Sequence, residues 1–258
     1  MISRYTRQAY EKLLELATRG RGLKRHLDGE AFRIIPRHRY LLDERREPGL
    51  RAFIREHVKP GENVLDVGSH VGLYALYFAR WTRTGQVHAF EPNPVTRSAL
   101  VEHVRLNGFA GRIVVRDMAV SDAIAEKDFF ALPFEGMSRL GGENPELTGK
   151  TTRIRVQTTT LDDYCEKEGL SPSWLRMDIE GFEVAALRGA RRLIDARRGT
   201  LNIVVEMHPD IWMDSGDTPE SFATLLAALR LEAIPLSGQK DPLREYGIVH
   251  LAYKGPRP

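Results

Sequence analysis

The segment Val64-Leu65-Asp66-Val67-Gly68-Ser69-His70-Val71-Gly72-Leu73-Tyr74 constrains the fold more than any other part of the chain. An apolar run of strand length enters a glycine turn and leaves it as a helix, Leu73 to Trp81. Glycine in such a turn lets a ligand approach the backbone closely, and the helix that follows presents its first N–H groups beside it. The spacing is Gly68-x-x-x-Gly72, not the Gly-x-Gly-x-x-Gly of a dinucleotide site. His70 stands where that pattern has the glycine that admits a pyrophosphate. Asp66, just before the turn, would repel a pyrophosphate but suits a ligand with an ammonium group.

From Leu50 onward, strands alternate with helices. The helix Leu50 to Val58 stops at Pro60-Gly61, and the first strand is Asn63 to Val67. The strand Gln86 to Phe90 and the helix Pro94 to Leu106 follow, then a strand at Ile113 to Val115. This rhythm predicts an α/β fold: a mostly parallel central sheet with helices on both faces. It breaks at Lys127 to Leu132 and Thr152 to Thr158, two strands around a glycine-rich loop, Gly136 to Gly142. It resumes with a helix at Leu161 to Lys167, a strand at Trp174 to Ile179, and a helix at Phe182 to Leu193. Leu201 to Met207 (strand), Pro219 to Leu229 (helix) and Ile248 to Tyr253 (strand) complete the pattern. Upstream, Tyr5 to Ala17 reads as an amphipathic helix, with a short strand at Phe32 to Ile35. Residues 1–47 are read as a helical extension, a lid or a homodimer contact, on one domain spanning 48–258.

Composition excludes several classes. A single cysteine, Cys165, leaves no internal disulfide and no Cys-rich metal cluster. The formal charge of +3 suits solubility or an acidic small substrate and gives no reason to expect nucleic acid. No stretch reaches the ~20 apolar residues that span a bilayer. The N-terminus, punctuated by Arg4, Arg7, Lys12, Arg19 and Arg21, lacks the apolar core of a signal peptide. A cytoplasmic location is expected. The first helix could lie on a membrane surface, but its apolar spacing more commonly packs on the parent domain.

Glu91 ends the second strand in Phe90-Glu91-Pro92-Asn93, where a carboxylate accepts from both ribose hydroxyls of an adenosine. With the glycine turn, this indicates adenosine without deciding between NAD and S-adenosylmethionine (SAM). SAM carries no phosphate, so the missing glycine favours it.

Four stretches in order resemble the FkbM family of SAM-dependent methyltransferases, a branch of the Rossmann-like class: Asp66 to Gly72, Phe90-Glu91-Pro92-Asn93, Ala119-Val120-Ser121-Asp122, and Met177-Asp178-Ile179-Glu180-Gly181-Phe182-Glu183. Thr160-Leu161-Asp162, Leu187-x-Gly189-Ala190 and Val205-Glu206-Met207-His208 match as well. The resemblance covers Asn63 to His208. It implies that Asp66, Gly68 and Gly72 line the methionine part of SAM, that Glu91 holds the ribose, that Met118 and Ala119 flank the adenine, and that Ser69 and Asn93 belong to the same cofactor site. Asp117 either meets the adenine amino group or merely ends a strand. His70 stands where the family commonly has asparagine. Ser138 and Arg139 match a segment near the acceptor, and the acceptor class implied is a hydroxyl on a small molecule, a sugar or a polyketide-like compound.

Methyl transfer to a hydroxyl needs the acceptor held in line and a base for its proton. Asp178 and Glu180 end one strand, Glu206 and His208 the next, and neighbouring strand ends in an open parallel sheet share a crevice. His208 is the expected base, with Glu206 or Asp178 orienting its ring. The alternatives are that Asp178 binds only the SAM amino group, and that Glu180 is an acid favoured by the helix dipole alone. Asp178, Glu206 and His208 also form a set that can hold a divalent metal such as Mg2+, which is possible but not expected. His57 and His103 read as surface residues. N-methylation, an NAD-dependent oxidoreductase and an inactive SAM-binding module are the competing readings.

Overall fold

The computed structural model describes residues 4–43, 47–132, 137–142 and 150–255, with side chains from Tyr10 onward. Seven strands form the central sheet in the order β12-β13-β11-β10-β3-β4-β5. These are β3 (Val64–Val67), β4 (Val87–Phe90), β5 (Ile113–Arg116), β10 (Trp174–Met177), β11 (Asn202–Met207), β12 (Leu231–Pro235) and β13 (Gly247–Tyr253). β5, β4, β3, β10 and β11 run parallel, and β13 is antiparallel to β11. The mostly parallel α/β architecture expected from the alternation is therefore present.

Chain order explains where the site falls. From β3 the chain builds outward through β4 to β5, then returns to the other side of β3 for β10 and β11. The strand order reverses between β3 and β10, and the crevice beyond their carboxyl ends is where ligands bind in open α/β sheets. Every residue of β3, β4 and β10 is buried, as strands covered on both faces should be.

Helices α3 (Leu73–Trp81) and α4 (Pro94–Leu106) follow their strands as expected. The predicted helix Phe182 to Leu193 is instead two short helices, α6 (Glu183–Arg188) and α7 (Arg191–Ala196). Gly189 separates them with no room for a side chain: a Cβ there would lie 2.3 Å from the Ser121 carbonyl oxygen. The break in rhythm is a second sheet, ordered β6-β9-β7-β8, from β6 (Ala119–Val120), β7 (Ala125–Ala131), β8 (Arg139–Leu140) and β9 (Thr152–Thr159). Gly136, at the start of the predicted glycine-rich loop, lies outside the described residues.

The N-terminal extension is only partly helical. After α1 (Arg4–Thr18) comes a hairpin of β1 (Leu23–Leu27) and β2 (Glu30–Ile34). Leu27, Phe32, Ile34 and Leu42 share a core cluster with Tyr77 and Phe78 of α3, and Asp28 binds Arg51 at 2.6 Å and the Tyr77 hydroxyl at 2.5 Å. The helix itself keeps Leu13 and Leu16 on the surface, 64% and 74% exposed. No helix among the described residues is long and apolar enough to cross a membrane.

Candidate active site

A cavity of about 910 Å3 opens at the carboxyl ends of β3, β4, β10 and β11. Gly68 forms its floor in the left-handed region (φ 79°), where a Cβ would sit 1.8 Å from the Asp178 carbonyl oxygen. Gly72 likewise has φ 95°, and its missing Cβ would lie 2.4 Å from Leu100 Cδ1. His70 between them is also left-handed (φ 51°). Asparagine and histidine are among the residues enriched in that conformation, which accounts for one standing where the other is common.

At the adenosine end, Glu91 is 6% exposed. One carboxylate oxygen accepts from the His70 backbone N–H (2.8 Å), the other from the Asn93 N–H (2.9 Å). Burial pushes its pKa up to about 7 against these donors. Met118, Ala119 and Pro92 line the cavity beside it. Asp117 is exposed and is not among the lining residues.

Two of the residues expected to touch cofactor are placed otherwise. Asp66 is fully buried, does not line the cavity, and lies 3.4 Å from the Arg176 guanidinium. The register of β3 and β10 pairs these two residues directly, so the carboxylate answers a buried cation rather than an open ammonium site. Asn93 is 1% exposed and caps α4: its side-chain oxygen accepts from Val95 N–H, and its amide donates to Leu132 O and Ser138 Oγ. It ties the second sheet to the turn that follows β4, and it is not among the residues that line the cavity. Ser69, Gly68 and Ser138 do border the cavity, Ser138 Oγ also accepting from Leu132 N–H (2.9 Å).

Arg176 was not singled out in the sequence. It is buried, donates to Gly68 O (2.9 Å) and Asp178 (2.8 Å), and stacks over the Tyr74 ring at 4.6 Å. The Tyr74 hydroxyl donates to Glu47, and Tyr40, Leu41 and Glu47 line the cavity. No residue of α1 lines it among the described residues.

On the acceptor side the histidine's partner differs from expectation. His208 Nδ1 bonds Glu183 Oε1 at 2.8 Å, and its Nε2 lies 3.7 Å from Glu180. Glu183 is fully buried and also accepts from the Gly181 N–H and the Trp212 indole N–H. Glu183, not Glu206 or Asp178, therefore fixes the ring. Glu206 accepts from the Tyr246 hydroxyl, whose ring centroid is 5.4 Å from that of His208. Burial pulls the His208 pKa down, but Glu183, Glu180 and Asp178 outweigh it and hold it at about 10. The imidazolium form is thus favoured, which makes His208 a counter-charge to its acidic neighbours. Burial raises Glu180 to about 7, and Asp178 and Glu183 add to the rise while His208 and Arg139 oppose it. Glu180 adopts φ 52°, a left-handed conformation uncommon outside glycine.

Asp178, Glu180 and His208 bring three ligand-capable atoms within 4.8 Å of one another. The set differs from the expected Asp178, Glu206 and His208 because Glu206 is turned to Tyr246. His103 corrects the surface reading: it is fully buried, Nδ1 bonding Val71 O at 2.7 Å and Nε2 accepting from Ile35 N–H.

The sequence model of the Methyltransferase FkbM domain matches residues 66–233, well over half of the chain. The chain belongs to the FkbM methyltransferase family. Its activity is accordingly SAM-dependent methyl transfer. Among its relatives, the 31-O-demethyl-FK506 methyltransferase FkbM of Streptomyces tacrolimicus is 26% identical over 226 residues, covering 75% of this chain and 81% of that enzyme. The 2-O-methyltransferase NoeI of Sinorhizobium fredii is 26% identical over 153 residues, 54% of this chain and 62% of the relative. The crystal structure of a methyltransferase FkbM from Methylobacillus flagellatus superposes with a TM-score of 0.50 at 17% identity. That match covers 75% of this chain but only 44% of the other, and it shows a shared fold.

Proposed function

We propose that the chain transfers the methyl group of SAM to a hydroxyl of a small-molecule acceptor, with Glu180 receiving the hydroxyl proton. The observation that carries this reading is Glu180 on the cavity wall, three residues beyond the end of β10, with His208 3.7 Å behind it and held in turn by Glu183. The cavity fits SAM: glycine at 68 clears the space a side chain would fill, and Glu91 keeps acceptor capacity for a ribose after binding two backbone N–H groups. Gly68 and Ser69 would border the methionine part, Asp178 beside Arg176 its ammonium, Glu91 the ribose, and Met118 with Ala119 the adenine, while Gly72 turns the chain away toward Leu100. SAM supplies a methyl on a sulfonium, so the acceptor's O–CH3 bond forms as the C–S bond breaks and the pair stays on sulfur.

The chain's own task is placement and proton removal. Glu180, near pKa 7, is ionised in a useful fraction at neutral pH and regains its proton without a large cost. The His208 imidazolium, held by Glu183, faces that carboxylate and stabilises its charge. Glu206 and Tyr246 border the acceptor space on the β11 side.

Incubation with trideuteromethyl-SAM and a panel of hydroxylated small molecules, analysed by mass spectrometry and NMR, tests the reading. The label should appear on oxygen. Glu180→Gln should lower turnover about 10²–10⁴-fold, the range for a general base, while S-adenosylhomocysteine (SAH) still binds. Label on nitrogen or carbon, or full activity in Glu180→Gln, would sink it. Activity lost to a chelator and restored by Mg2+ would instead assign Asp178, Glu180 and His208 to a cation.

A further inference from the structure

Arg139 sits on β8 at the edge of the cavity and is 1% exposed. One terminal nitrogen, Nη2, donates to Asp214 at 2.5 Å. Nε and Nη1 are buried and have no hydrogen-bond partner. A guanidinium cannot shed its proton to escape this, so two donor nitrogens of a permanent cation are buried unspent. Buried polar groups in native proteins are almost always satisfied, and the exceptions call for an explanation. Here the two donors lie in a residue that borders the cavity, close enough to Glu180 for its charge to act on that carboxylate.

We propose that Arg139 anchors a carboxylate carried by the methyl acceptor, so that the substrate class is a hydroxy acid. The inference rests on the methyltransferase reading above and names the acceptor of that same site. A carboxylate fits better than a doubly charged phosphate because Asp178, Glu180 and Glu206 already border the cavity, and each further negative charge is repelled by them. SAM's own carboxylate is not the partner: the Gly68 turn and Arg176 hold the methionine end, whereas Arg139 is tied to Asp214, just past His208 on the acceptor side. Asp214 is half exposed, so solvent screens part of its hold on Arg139 and leaves the buried side of the cation for a ligand.

Ligand-observed NMR on the full chain saturated with SAH tests this, with benzoate and lactate as probes and benzamide and lactamide as uncharged controls. The acids should bind at least tenfold more tightly than the amides. Arg139→Gln should abolish that preference, Arg139→Lys should keep part of it, and SAH affinity should stay within twofold in both. Asp214→Asn, which removes the competing carboxylate, should tighten benzoate severalfold, and it keeps the test open if Arg139→Gln does not fold. The proposal is overturned if no acid binds the SAH-loaded chain, if acids bind Arg139→Gln as well as wild type, or if Asp214→Asn weakens them. Loss of SAH together with the acids would also overturn it, by assigning Arg139 to the cofactor. A wild-type chain that binds no SAH would defeat the methyltransferase reading itself.

Discussion

Glu91→Gln isolates the contribution of one carboxylate to cofactor binding. Its two oxygens each accept a backbone N–H, from His70 and Asn93, and their remaining lone pairs are free for the ribose hydroxyls proposed to bind there. Glutamine keeps the shape but replaces one oxygen by a donor, which then faces a backbone N–H, and it removes the charge from the ribose contacts. Hydrogen bonds to charged groups contribute roughly 1.5–3 kcal/mol, so SAH affinity should fall by about 10- to 150-fold. The pH dependence gives a second signature. With a pKa of about 7 in the free protein, Glu91 is mostly ionised at pH 8 and mostly protonated at pH 6. Wild-type affinity should therefore weaken roughly tenfold between those values, because the ligand must displace a proton before the carboxylate accepts. Glu180 and Glu206 titrate in the same range but persist in the variant, so the difference between the two profiles belongs to Glu91. Calorimetric titration with SAH at pH 6, 7 and 8 measures both effects. Equal affinities at pH 8, or parallel pH profiles in the two proteins, would refute the assignment of Glu91 to the ribose.

Glu183→Gln should lower turnover about 10²-fold by freeing the His208 ring, with SAH affinity within twofold. The His208 titration, read by NMR, should drop well below its value of about 10, and an unmoved titration would show that Glu183 is not its partner. Between pH 6.5 and 8 the free protein should lose several degrees of melting temperature, whereas below about 6.5 the buried His38 and His103, lowered by burial to about 3 and 4, act with the opposite sign. Glu91, Glu180 and Glu206 have folded pKa values raised to about 7, 7 and 8, so the stability they contribute is present below their unfolded values and is lost as pH rises through the folded ones. His208 acts with the same sign, its contribution full below about 6.5 and lost progressively as pH rises from there through about 10. Differential scanning calorimetry across pH 6.5–8 checks the slope, and a melting temperature that climbs over that range would contradict it. Gly68→Ala should destabilise the protein by at least about 3 kcal/mol, because its Cβ meets backbone at Asp178. Gly72→Ala should cost less, because its Cβ meets a flexible leucine side chain; urea melts of both variants test the ranking.

The sheet and the cofactor crevice were legible because they depend on local signals. Strand-to-helix alternation is written in hydrophobic period, and the Gly68 turn and Glu91 sit at strand ends that any parallel arrangement brings to one side. Two misreadings were avoidable on the same terms. Asn93 precedes Pro94 at a helix start, the position at which an asparagine side chain caps the first turn, and its cap bond to Val95 is what the structure holds. His103 falls on the helical stripe of Thr96, Ala99, Leu100 and Val104, all buried, so its period placed it inside whatever charges flank it in sequence.

What stayed hidden depends on register between strands far apart in the chain. Arg176 neutralises Asp66 because β10 pairs with β3 at that residue, and no local pattern encodes which strand returns beside β3. The histidine's partner was hidden for a related reason. Glu206 and His208 are two residues apart and were expected to act together, yet β11 ends at Met207 and the backbone turns at His208 (φ −122°, ψ 62°) into the 3-10 segment Pro209–Ser215. That turn swings the ring toward the start of α6, where Glu183 waits behind Gly181. Period-two reasoning is valid only while the strand lasts, and here it failed at the first residue beyond it. The same turn carries Asp214 onto Arg139. One backbone change after β11 thus sets both the proton relay and the half-satisfied cation, which is why the acceptor side of the cavity was less readable than the cofactor side.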